Sequence, residues 1–230
     1  MRSLMFSSGS PFARAIRVIL DELELVYEGQ EPEAAPAAQQ LGTATPTMQV
    51  PTLRDGEVTL WESGTIAEYL LSNYTHRAHV APPLAEQPWR PDNFWHDKLV
   101  FSTIQTFGTA ATTISQLTWT GVAADQNPHL QRCAERMTLI LNWLEENLLS
   151  NQPGFLPDCV SMQDIFLACH IRFVQARPLR VDLNIPRYEK ISILVNKLDQ
   201  RQSFKSNPIW WWDPDVTGYD PDGTPTYHAK

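Results

Sequence analysis

A proline cluster divides this chain into two stretches of different character. Pro82, Pro83 and Pro88 fall between Thr75 and Arg90, with Pro91 just beyond. Proline withholds a backbone donor and punctuates regular structure, so we read a linker here. Ahead of it, strand and helix patterns alternate. Arg2 to Phe6 suits a short buried strand, and Pro11 opens a helical spacing through Ile16, Val18, Ile19, Leu20 and Leu23. Leu25 to Tyr27 is strand-like. Val50 to Leu53 and Val58 to Trp61 are two more strands, joined across Asp55-Gly56, a strong hairpin signal. Ser63 is expected to cap a helix through Ile66, Tyr69 and Leu70. Beyond the prolines, strand signals nearly vanish. Helices are predicted over 93–119, 130–149, 161–176 and 188–198. A mixed α/β unit followed by an all-helical one predicts two domains, 1–76 and 90–230, around a linker at 77–89.

The 230 residues are 43% hydrophobic, enough for a sizeable core. No apolar run approaches the roughly 20 residues of a membrane span, and Arg14 and Arg17 interrupt the stretch that could pass for a signal peptide. A net charge of -8 argues against a nucleic-acid partner. Cys133, Cys159 and Cys169 are odd in number and lack C-x-x-C spacing, as expected of reduced thiols in a cytoplasmic protein. Asn73-Tyr74-Thr75 is then a chance glycosylation match. His96, His129 and His170 lack metal-ligand spacing, and no metal is expected. Asp213 to Gly218 mimics the start of a calcium loop, but Thr224 stands where a bidentate glutamate is needed. Trp210, Trp211 and Trp212 either cover a pocket mouth or pack the C-terminus.

Four short segments, in order, carry a family resemblance. Ser10-Pro11-Phe12-Ala13-Arg14-Ala15-Ile16-Arg17 follows the first strand. Val50-Pro51-Thr52-Leu53 precedes the Asp55-Gly56 turn. Glu62-Ser63-Gly64-Thr65-Ile66-Ala67-Glu68-Tyr69-Leu70 opens a helix, and Ser161-Met162-Gln163-Asp164 opens another. Together they resemble the glutathione transferase superfamily, in particular its serine-type bacterial members. The resemblance implies a thioredoxin-like α/β N-terminal domain, an all-α C-terminal domain, and glutathione as co-substrate.

Read alone, Ser10 before a helix is an N-cap. The resemblance makes it the catalytic residue that stabilises the glutathione thiolate. The chemistry is sound: the thiolate is the nucleophile, and one hydroxyl donor plus a helix N-terminus favour it over a thiol of pKa about 8.5. Ser7 and Ser8 compete for the role. Pro11 stands where zeta-like isomerases have a second serine, and no cysteine offers glutaredoxin-type chemistry. Val50 and a cis-Pro51 would pair with the cysteinyl backbone of glutathione. Glu62 and Ser63 suit its γ-glutamyl end. Gln49 suits its glycyl end, with Thr45, Gln39 and Gln40 as further candidates.

Asp164 reads as the partner of Ser161 in a capping box and not as a catalytic carboxylate. A hydrophobic electrophile would lie against Phe12, Phe101, Ile104, Phe107 and Trp119, apolar walls that desolvate the thiolate. The resemblance also implies a homodimer. Two other functions stay open: a binding or regulatory module without transferase activity, and a glutathione-dependent isomerase or ether-cleaving enzyme.

Overall fold

The structure is a computed structural model. It describes residues 1–31, 42, 44–74, 81–119, 121–151, 154–177, 179–209, 216–219 and 225–227, the backbone alone for Trp119 and the last two stretches. Strands β1 (Arg2–Met5), β2 (Glu28–Gln30), β3 (Thr52–Asp55) and β4 (Val58–Trp61) form one sheet in the order β2-β1-β3-β4. β1 runs parallel to β2 and antiparallel to β3, with Leu4 opposite Leu53. Gly56 turns the β3–β4 hairpin at φ 61°, where a side chain would be strained. Helices α1 (Pro11–Glu22) and α2 (Ser63–Asn73) cover the sheet, burying Ile16, Ile19, Leu20, Ile66 and Leu70 with Leu4 and Leu53.

Two expected strands are displaced along the chain. The pairing segment after α1 is Glu28–Gln30, not Leu25 to Tyr27. This is an exposed edge, so its apolar neighbours misled: Leu25 and Tyr27 pack on the core just ahead of the ladder. β3 begins at Thr52, after the cis Val50–Pro51 bond, not at Val50. The N-cap of α2 is Glu62, and Ser63 is its first helical residue.

The helical part comprises α3 (Phe94–Trp119), α4 (Pro128–Asn147), α5 (Met162–Gln175), α6 (Glu189–Leu198) and a short α7 (Gln202–Lys205) that the sequence pattern did not predict. A last hairpin, β5 (Val216–Tyr219) and β6 (Pro225–Tyr227), was also unforeseen. Thr75, Trp210–Trp212, Asp213 to Asp215 and Thr224 lie outside the described residues. No described helix is long and apolar enough to cross a membrane.

Glycine sets how closely α3 approaches its neighbours. A Cβ on Gly108 would stand 2.4 Å from the His170 ring on α5, and one on Gly64 would stand 2.8 Å from Phe101. α3 runs unbroken through Gly108, and the ring occupies the space a side chain there would need.

α5 is buried on nearly every face. Its first turn is closed by Asp164, which accepts from Ser161 N (2.8 Å), Ser161 Oγ (2.7 Å) and Phe155 N (3.0 Å), while Asp164 N donates to Ser161 Oγ. Burial is the largest influence on this carboxyl and pushes it up to about 6. The box is a folding device.

A second buried polar knot joins distant parts of the chain. Arg201 grips Glu22 with Nε (2.7 Å) and Nη2 (2.6 Å), Ser203 Oγ donates to the same carboxylate, and Arg201 Nη1 reaches Pro82 O at 2.8 Å. The C-terminal end of α1, the proline segment and α7 are thereby fastened together.

Candidate functional site

A cleft of about 590 Å³ opens where the start of α1, the segment before β3 and the start of α2 face one side of α3. Ser10, Gln49, Val50, Pro51, Glu62, Ser63 and Phe12 all line it. Residues spread over the first 63 positions converge here because both helices begin at the same end of the sheet.

Ser10 holds extended backbone (φ -85°, ψ 122°), and its Oγ accepts from Ala13 N at 3.2 Å. An oxygen accepting from Ala13 still has its own hydrogen to donate. Of the two neighbouring serines, Ser8 spends its hydroxyl on Glu31 Oε2 at 2.7 Å, and Ser7 accepts from Gly9 N at 3.4 Å. Neither lines the cleft.

α1 and α2 both point their N-termini into the cleft, but they are finished differently. α1 has a side-chain cap. α2 has none among the described residues, which leaves its first amides open to water or a ligand. Glu62 sits at φ 66° and ψ 110°, a backbone region that costs a non-glycine residue on the order of 1–3 kcal/mol. Met48, also on the cleft wall, stands at φ 53°. Non-glycine residues at positive φ thus flank the Val50–Pro51 segment in the lining. Ser63 is buried and accepts from Gln105 Nε2 at 3.2 Å, which ties the start of α2 to α3.

Thr45 is buried and pairs with Thr47 Oγ1 at 3.1 Å; Thr47 rather than Thr45 reaches the cleft. Gln39 and Gln40 lie outside the described residues.

The α3 wall differs from the expected one. Phe101, Ile104 and Phe107 are core residues, 7%, 0% and 0% exposed, and none of them lines the cleft. Phe101 packs edge-on against Phe166 of α5 at 5.0 Å. The lining from α3 is Gln105, Thr109, Thr112, Ser115 and Gln116. The reason is helical geometry: 105, 109, 112 and 116 follow the i, i+4, i+7, i+11 rows of one face, while Ile104 and Phe107 lie on the next face round. The signal for this stripe in the sequence is the recurrence of polar residues at helical spacing. Phe12 remains in the wall and is joined by Phe173 of α5. The Trp119 side chain lies outside the described residues.

Behind Phe12 stands His170, fully buried, with its ring 4.7 Å from that of Phe12. Neither ring nitrogen has a hydrogen-bond partner among the described residues. Burial drives its pKa down to about 3, so the ring is neutral and serves as packing. His96 and His129 are exposed.

Known proteins share this fold. Residues 4–78 match the family described as glutathione S-transferase, N-terminal domain. A glutathione S-transferase from Methylobacterium radiotolerans, in complex with glutathione sulfonate, superposes with a TM-score of 0.73 at 20% identity, covering 91% of this chain and 95% of that one. One from Methylobacillus flagellatus with glutathione bound also gives 0.73, at 19% identity over 91% and 100% of the two chains. A glutathione transferase family member from Pseudomonas fluorescens with bound glutathione gives 0.73 at 18% identity over 92% and 100%. With the four-stranded mixed sheet, the helical C-terminal part and the matched N-terminal segment taken together, this chain has the glutathione transferase fold.

Proposed function

We propose that the protein is a serine-type glutathione transferase. The observation that carries the reading is Ser10: its oxygen caps α1 while its hydrogen stays available on the cleft wall, at the positive end of a helix. A glutathione sulfur placed there would receive that hydrogen bond as a thiolate. The Val50–Pro51 segment would pair with the cysteinyl backbone. The uncapped start of α2 with Ser63 would take the γ-glutamyl carboxylate, Glu62 its ammonium, and Gln49 the glycyl end. In the reaction with an aryl halide, the thiol proton passes to solvent and sulfur bonds to the ring carbon. The halide leaves with its bonding pair. Holding both reactants in one cleft supplies the proximity term.

The glutathione-bound relatives favour the enzyme over a pure binding module, since this chain keeps a lined cleft where a scaffold needs none. We place the reaction in the cytoplasm, divide the chain into glutathione-binding and helical domains at 77–89, and read it as a homodimer. Trp95, Leu99 and Trp61 support the dimer: they are 80%, 55% and 37% exposed, on α3 and the edge strand β4.

The test is turnover of a simple aryl halide with glutathione by the wild type and by Ser10→Ala. The reading expects kcat/KM to fall at least tenfold with little change in glutathione affinity. Equal rates at every pH would remove Ser10 from the chemistry. Glutathione binding without turnover would favour the binding module.

A further inference from the structure

We infer that the electrophile taken by this cleft carries hydrogen-bond donors, N–H or O–H groups, instead of being wholly apolar; the inference rests on the transferase reading above. It comes from what the α3 wall offers. Thr109 Oγ1 donates to Gln105 O at 2.9 Å, and Thr112 Oγ1 donates to Gly108 O at 3.0 Å. Each threonine therefore spends its hydrogen on its own helix, which leaves its oxygen an acceptor only, and both residues line the cleft. Gln105 repeats the pattern. Its Nε2 donates to Ser63, while Oε1 is buried with no hydrogen-bond partner among the described residues. That acceptor sits beside Ser63, at the proposed γ-glutamyl end, so the acceptors left for the electrophile are those of Thr109 and Thr112 on the cleft wall.

Position links this stripe to the reacting end. Thr112 lies one turn beyond Gly108, Gly108 meets the His170 ring, and that ring packs on Phe12, the neighbour of Pro11 and Ser10 in the wall. From Gln105 to Thr112 the stripe rises about 10 Å along the helix. It runs from the proposed γ-glutamyl end toward the sulfur. Phe12 and Phe173 on the other side supply a face for a flat or unsaturated group. The substrate class that fits both is a neutral electrophile with an apolar reactive portion and an amide or hydroxyl donor.

The experiment compares two aryl chlorides that differ in their donors: 4-chloro-3-nitrobenzamide and methyl 4-chloro-3-nitrobenzoate, each rate normalised to its uncatalysed reaction with glutathione. Glutathione binding is measured first by calorimetry. The inference expects kcat/KM to favour the amide by about tenfold, the ratio of one net hydrogen bond. That preference should shrink toward parity in Thr112→Val and in Thr109→Val. Turnover of both compounds without preference, or a preference for the ester, overturns the inference and leaves the transferase reading standing. A preference unchanged in both valine variants also overturns it, because the donors would then be read elsewhere. Glutathione binding with turnover of neither compound overturns the transferase reading and this inference with it.

Discussion

Gln105 Nε2 donates to Ser63 Oγ at 3.2 Å, across 42 residues of sequence. The bond fixes the start of α2, whose free amides are the proposed seat of the γ-glutamyl carboxylate, against the long helix that forms the opposite wall. One contact thereby joins the two halves of the cleft.

Gln105→Leu should weaken glutathione binding about fivefold to tenfold, the worth of one net hydrogen bond. Calorimetry reads the affinity. Because Ser10 faces the cysteinyl sulfur and not the γ-glutamyl end, the ionisation of bound thiol should stay at its wild-type value. An unchanged affinity would mean that Ser63 holds its position without help.

The sequence pointed to much of the cleft lining and hid part of it for definable reasons. Ser10, Pro51, Glu62 and Ser63, which share the cleft wall, were picked out by the family resemblance; read alone they mark only a helix start, a proline ahead of a strand and a second helix start. The α3 wall was not. Phe101, Ile104 and Phe107 are the large apolar residues of the helix, and the core claims them against α5 and its neighbours. The Gln105, Thr109, Thr112 and Gln116 stripe shows up only when polar residues are counted at helical spacing. β2 escaped because an exposed edge strand of Glu-Gly-Gln has no apolar signature. α7 consists of four residues held by the Glu22–Arg201 knot, a tertiary cause that no local pattern encodes.

His170 should give the protein an acid-sensitive component of stability. Its pKa falls from 6.5 to about 3 on burial, so between those values the unfolded chain binds a proton that the folded chain refuses. Stability from this residue therefore declines as pH drops from about 6.5 toward 3. Asp164 acts in the opposite sense: raised from 3.8 to about 6, it binds its proton first in the folded state and offsets part of the decline. Denaturant melts of wild type and His170→Phe between pH 7 and 4 separate the two. The variant should lose less stability on acidification; parallel curves would contradict the assignment.

Arg201→Met should destabilise the fold by about 3–5 kcal/mol, because Glu22 would stay buried without the guanidinium that meets both its oxygens. The double variant Glu22→Leu with Arg201→Met should recover much of that loss. Urea unfolding measures both. A cost of Arg201→Met below about 1 kcal/mol would place the pair in the class of solvent-exposed ion pairs.

The exposed Trp95 and Leu99 on α3 predict a dimer seam. Trp95→Glu and Leu99→Glu together should shift the mass found by light scattering from dimer to monomer, by burying charge in an apolar contact. A wild type that is monomeric at all concentrations would contradict the seam.

The most direct test of the central claim is the ultraviolet absorbance of thiolate in the glutathione complex, titrated from pH 5 to 10. With Ser10 in place, the bound thiol should ionise about two pH units below free glutathione, equivalent to roughly 2.7 kcal/mol of thiolate stabilisation. In Ser10→Ala its midpoint should rise by about one pH unit toward the free value, the share of one hydrogen bond, while the helix start keeps the rest and the complex still forms. If wild type and variant titrate together, the Ser10 hydroxyl does not hold the sulfur anion, and the mechanism proposed here is wrong.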